Sequence, residues 1–101
     1  MRLPSKTKLA EEYVTLAEKR RYKGLAVYGD FDPKEDDRIL AWECIEEIVD
    51  AYNYLYFAKQ KYPKFKTLAQ KAQKQLFDAF VTLRHLEELE RDMNPETGGD
   101  T

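Results

Sequence analysis

Four carboxylates, Glu43, Glu46, Glu47 and Asp50, follow one another at offsets of three, four and seven residues. At about 100° per residue, that spacing stacks them on one helical face over two turns. Acids placed so closely repel one another, so the arrangement calls for positive charge nearby. Basic side chains from another helix would supply it. So would Mg²⁺, a hard cation held by carboxylate oxygens and water. Asp78, from a later segment, can add a fifth carboxylate, and Lys71 or Lys74 can meet a phosphate. The acidic face also carries Ile39, Tyr54 and Phe57 at its two ends. Exposing them would forfeit apolar burial worth ~25 cal/mol per Å². A helix apolar on two sides is sandwiched between partners. The carboxylates are therefore expected in a groove between elements, where charges need pairing.

The elements that must position these residues read as three helices. Residues 5–21 form the first, capped by Ser5 or Thr7, with Leu9, Tyr13, Leu16 and Ala17 at helical spacing. Residues 22–37 break the pattern, with Gly24, Gly29 and Asp32-Pro33 as turn punctuation. Residues 36–61 form the second helix. Asp36 and Asp37 suit its first turn, and Tyr62-Pro63 ends it. Its expected core face is Ile45, Ile48, Val49, Tyr52, Leu55 and Tyr56. The third helix spans 67–91, with Leu68, Ala72, Leu76, Ala79, Phe80, Leu83 and Leu86 as its stripe. Lys71, Gln75, Asp78, Thr82 and His85 run along the edge of that stripe, and a polar tail covers 93–101. No strand-like alternation and no internal repeat are visible. The expectation is an all-α fold: one domain, 1–101, built as a small antiparallel helical bundle of three main helices and completed by dimerisation.

Composition limits what the chain can do. It has 101 residues, 43% hydrophobic and 36% charged. That is one domain's length and a modest core, which favours a homo-oligomer. A net charge of −2 argues against a dedicated nucleic-acid binder. The basic and aromatic run Lys59-Gln60-Lys61-Tyr62-Pro63-Lys64-Phe65-Lys66 is the one stretch that would suit a phosphate backbone. Cys44 is the single cysteine, which excludes an internal disulfide and a cysteine zinc site. It reads as a core thiol. The sole histidine, His85, reads as a structural residue. There is no long apolar run, so neither a leader nor a membrane span is expected, and the cytoplasm is the expected compartment.

Glu43-Cys44-Ile45-Glu46, with the overlapping Glu47-Ile48-Val49-Asp50, resembles the Glu-x-x-Glu element of the MazG-type all-α nucleoside triphosphate pyrophosphohydrolases. The segment 75–83, Gln-Leu-Phe-Asp-Ala-Phe-Val-Thr-Leu, is similar to that family's second element, with Gln75 where the family has Glu. The resemblance spans roughly residues 22–90. It implies that Glu43, Glu46 and Glu47, with Asp50 or Asp78, hold Mg²⁺ against a nucleotide triphosphate. It further implies that Glu46 or Glu47 serves as base on the attacking water. Lys71 or Lys74 would contact phosphate, and Tyr28, Phe31 or Trp42 would stack on the base. The segment 24–32 adds a second likeness, to Tyr-Gly-Asp segments of small proteins that act on purine deoxynucleotides. Two functions follow as expectations. One is a Mg²⁺-dependent nucleotide pyrophosphohydrolase. The other is a non-catalytic helical interaction and oligomerisation protein that keeps the fold, favoured by Gln75 and by the lysines between Lys59 and Lys74.

Overall fold

The computed structural model describes residues 3–29 and 31–93, without the side chains of residues 26–28. The fold is all-α: among the described residues there are three α-helices, one short 3-10 turn and no strand. Contacts cluster into two units, residues 1–36 and 37–101.

The first unit is built on α1, Lys6–Tyr28. Ser5 caps it, its side-chain oxygen accepting the Lys8 N–H at 3.3 Å. The helix runs past the expected break at residue 22 and through Gly24, because nothing local opposes it strongly enough. A mid-helix glycine costs only about 1 kcal/mol. What stops it is Gly29, at φ 80°, a conformation open to glycine and hardly to other residues. Leu9, Tyr13 and Leu16 are exposed on this helix, and Ala17 is half-buried. Beyond it, Asp32 organises a turn, accepting the Lys34 N–H on its side chain and the Glu35 N–H on its carbonyl, each at 3.0 Å.

The second unit is a helical hairpin. α2 spans Leu40–Lys61, the 3-10 turn spans Pro63–Phe65, and α3 spans Lys66–Met93. α2 starts four residues later than Asp36 suggests, so Asp36 and Asp37 precede the helix rather than filling its first turn. The residues expected as a tail beyond Met93 lie outside the described ones.

Two contacts define the hairpin as antiparallel. The backbone N–H groups of Leu40 and Ala41, at the start of α2, donate to Glu90 near the end of α3. Lys59, near the end of α2, donates to Gln73 near the start of α3 at 3.0 Å. Between these points both helices follow a four-three alternation. On α2 the line is Ala41, Ile45, Ile48, Tyr52, Leu55 and Lys59. On α3 it is Ala69, Gln73, Leu76, Phe80, Leu83, Glu87 and Glu90. This is the spacing of a coiled-coil seam. Ala41, Ile45, Ala69, Gln73 and Glu87 are buried, and most of the rest are half-buried. Val49, Tyr52 and Tyr56, expected in the core, are exposed. So are Leu68 and Leu86, because the α3 seam passes one residue away from each, through Ala69 and Glu87.

Candidate functional site

On α2, Glu43, Glu46, Glu47 and Asp50 stand on the side opposite the α3 seam, as the helical spacing requires. They line one shallow, open depression together with Arg38 and Cys44. Arg38, just before the helix, reaches Glu43 with Nη1 3.2 Å from Oε1. Its position in the preceding turn, rather than on another helix, makes it the first cation at the acidic face. Among the described residues no ion pair is made by Glu46, Glu47 or Asp50.

The remaining repulsion falls on Glu46. A hydrogen bond shared with Glu43 raises its pKa above the ordinary carboxylate value. Desolvation and the charges of Glu43, Asp50 and Glu47 push in the same direction.

Of the other site residues expected on the hairpin, Asp78, Lys71, Lys74 and Trp42 do not line this depression. Asp78, Lys71, Lys74, Gln75 and His85 are exposed on α3, on the side turned away from its seam with α2. Asp78 instead accepts the Thr82 hydroxyl on its backbone carbonyl at 3.3 Å. An edge residue of a helix that packs on the far side of α2 has no route to the acids. Trp42 is partly exposed on the flank of α2 and does not line the depression. Tyr28 ends α1, and its side chain lies outside the described ones. Cys44 is exposed at the acidic depression rather than in the core, because it stands beside the α2 seam and not on it.

The donor set does not fit a Mg²⁺ site as it stands. Among the described residues no group of three or more His, Cys, Asp or Glu side chains is gathered as a metal ion needs. Four acids on one helix fan outward along its surface, one is held by Arg38, and α3 packs on the other side of α2. A hard cation is held by oxygens converging from several directions.

A polar cluster that sequence reasoning missed lies at the other end of α3. Glu87 is buried, and its carboxylate accepts hydrogen bonds from Arg84 and from Arg91, the latter at 2.8 Å. Burial pushes its pKa up, but the hydrogen bonds from Arg91 and Arg84 outweigh that and hold it below the ordinary value. Gln73, also buried, accepts from Lys59, while its Nε2 has no hydrogen-bond partner among the described residues. The four-three spacing was the available signal for both: Gln73 and Glu87 sit fourteen residues apart on one heptad line.

No protein-family model matches this chain, and neither does any curated protein or solved structure. No helix among the described residues is long and apolar enough to cross a membrane.

Proposed function

We propose that this chain is a helical interaction module whose work is association with protein through the outer surface of its hairpin. One observation carries the reading. Among the described residues the buried hydrophobic side chains are only Ile39, Ala41, Ile45 and Ala69, while Tyr54, Phe57, Leu68, Phe77 and Leu89 are all more than half exposed. A two-helix hairpin with so thin a core buries too little apolar surface to offset the entropy of ordering its chain. So much exposed apolar side chain around so thin a core favours association with another protein surface. The test is dye binding and melting of the dilute chain. An environment-sensitive apolar dye should bind, and the melting temperature should rise with protein concentration as association covers the surface. A sharp, concentration-independent transition with no dye bound would sink the reading.

A second reading, the Mg²⁺-dependent nucleoside triphosphate pyrophosphohydrolase, is favoured by the depression lined by Glu43, Glu46, Glu47 and Asp50. It needs further oxygens from outside α2. Titration calorimetry with Mg²⁺, beside the Glu46→Gln, Glu47→Gln double variant, separates the two readings. Binding that the variant loses favours the enzyme, and absence of binding favours the interaction module.

A further inference from the structure

α2 carries a second heptad line. Glu43, Glu47, Asp50, Tyr54, Phe57 and Lys61 succeed one another by four, three, four, three and four residues. The line sits two residues, or about 200°, round the helix from the seam that meets α3. It is therefore a continuous face turned away from the hairpin, apolar at Tyr54 and Phe57 and charged on either side of them. Its chemistry is ordered along its length: three acids, then two rings, then an ammonium group. Tyr54 is 77% exposed and Phe57 60% exposed. Asp50, Asn53, Tyr54 and Phe57 line a second shallow depression, the kind of hole that takes a side chain from a facing helix. Among the described residues Asp50 and Lys61 each lack an oppositely charged partner.

That order selects the occupant. A parallel copy would set every charge against its own duplicate. An antiparallel copy sets the acidic end against the basic end. The antiparallel register that stacks Tyr54 on the partner's Phe57 also sets Asp50 against the partner's Lys61, because both pairs are symmetric about the same point between residues 55 and 56. Two-fold symmetry makes each of these contacts twice. In this register Glu43 and Glu47 reach past the end of the partner's α2, which stops at Lys61. We propose that the outer face of α2 pairs antiparallel with the same face of a second copy, Tyr54 and Phe57 at the centre and Asp50–Lys61 pairs flanking them, so that two hairpins form a four-helix assembly. This rests on the association reading above and names its partner.

The experiment is sedimentation and light scattering of the full chain, with circular dichroism to verify helix content. The wild type should be a dimer at micromolar concentration and weaken as salt is raised. Asp50→Lys and Lys61→Asp should each weaken it by about tenfold or more. An equimolar mixture of those two variants should recover the dimer, because the only attractive pairing left is between unlike chains. Tyr54→Ser with Phe57→Ser should give a helical monomer without any change of charge. A monomeric wild type, or a dimer that neither single charge reversal disturbs, overturns the proposal. The two levels of failure differ. A monomer that still binds apolar dye loses the self-pairing alone. A monomer that binds none loses the association reading with it. A dimer indifferent to these substitutions associates through another face.

Discussion

The Glu90 carboxylate closes the N-terminus of α2 from fifty residues away, one oxygen accepting the Leu40 N–H at 2.6 Å and the other the Ala41 N–H at 2.9 Å. The residue that precedes the helix, Ile39, has no side-chain acceptor and makes no capping bond. A cap supplied by α3 satisfies backbone donors that would otherwise be orphaned, and it places a negative charge at the positive end of the helix dipole. It also ties the two helices together at the open end of the hairpin. Glu90→Ala should lower stability by about 1 kcal/mol, read from the urea midpoint. An unchanged midpoint would mean that water caps the helix equally well.

Glu87 makes the hairpin acid-sensitive. Its folded pKa lies below the ordinary value of 4.5, so the stability it contributes is present above that pH and is lost as pH falls through the lower folded pKa. The melting temperature should fall as pH drops below about 4.5, and Glu87→Gln should flatten that part of the profile while lowering stability at neutral pH. A variant that keeps the wild-type acid profile would assign the effect to another carboxylate.

Glu46 works in the opposite sense. Its folded pKa is raised above 4.5, so its favourable contribution is present below that pH and is lost as pH rises through the folded pKa. At neutral pH its charge opposes the folded chain. Glu46→Gln should therefore raise the melting temperature at pH 7, and the gain should shrink toward pH 4. Added salt should shrink it too, since the group is exposed. A gain that ignores both pH and salt would not be electrostatic.

Gly24 and Gly29 should respond to alanine with opposite signs. A Cβ at either position meets nothing within 4 Å, so packing does not decide the outcome. Gly24 lies inside α1, where alanine is favoured by about 1 kcal/mol. Gly29 holds φ at 80°, where a side chain is strained. Helix content by circular dichroism should rise with Gly24→Ala and fall with Gly29→Ala. Equal responses would place the helix end elsewhere.

How much of this was legible in the residues depended on whether a pattern was carried by apolar side chains alone. The all-α class, α2 with its Pro63 stop, and the gathering of Glu43, Glu46, Glu47 and Asp50 on the face away from the core followed from spacing. The α3 seam did not, because three of its positions are Gln73, Glu87 and Glu90. A stripe drawn through leucines drifts off it to Leu68 and Leu86, which the fold leaves exposed. Asp78 was assigned to the acidic group by its place at the edge of that misdrawn stripe. The extent of α1 was obscured for another reason: Gly24 and Gly29 look alike in sequence, and only backbone conformation distinguishes a tolerated glycine from a terminating one. Glu90 as a cap for α2 had no local signal, since its partners are fifty residues distant.

The two opposed heptad lines of α2 bear on how its length can vary. A single inserted residue would turn everything beyond it by about 100°. Placed between Asp50 and Tyr54, it would pull the downstream half of the inner line off α3 and the downstream half of the outer line off its own upstream half. An insert of seven residues would return both lines nearly to phase, with the hairpin about 10 Å longer if α3 grew by the same amount. α2 should thus accept many exchanges of one side chain for another and very few changes in residue count.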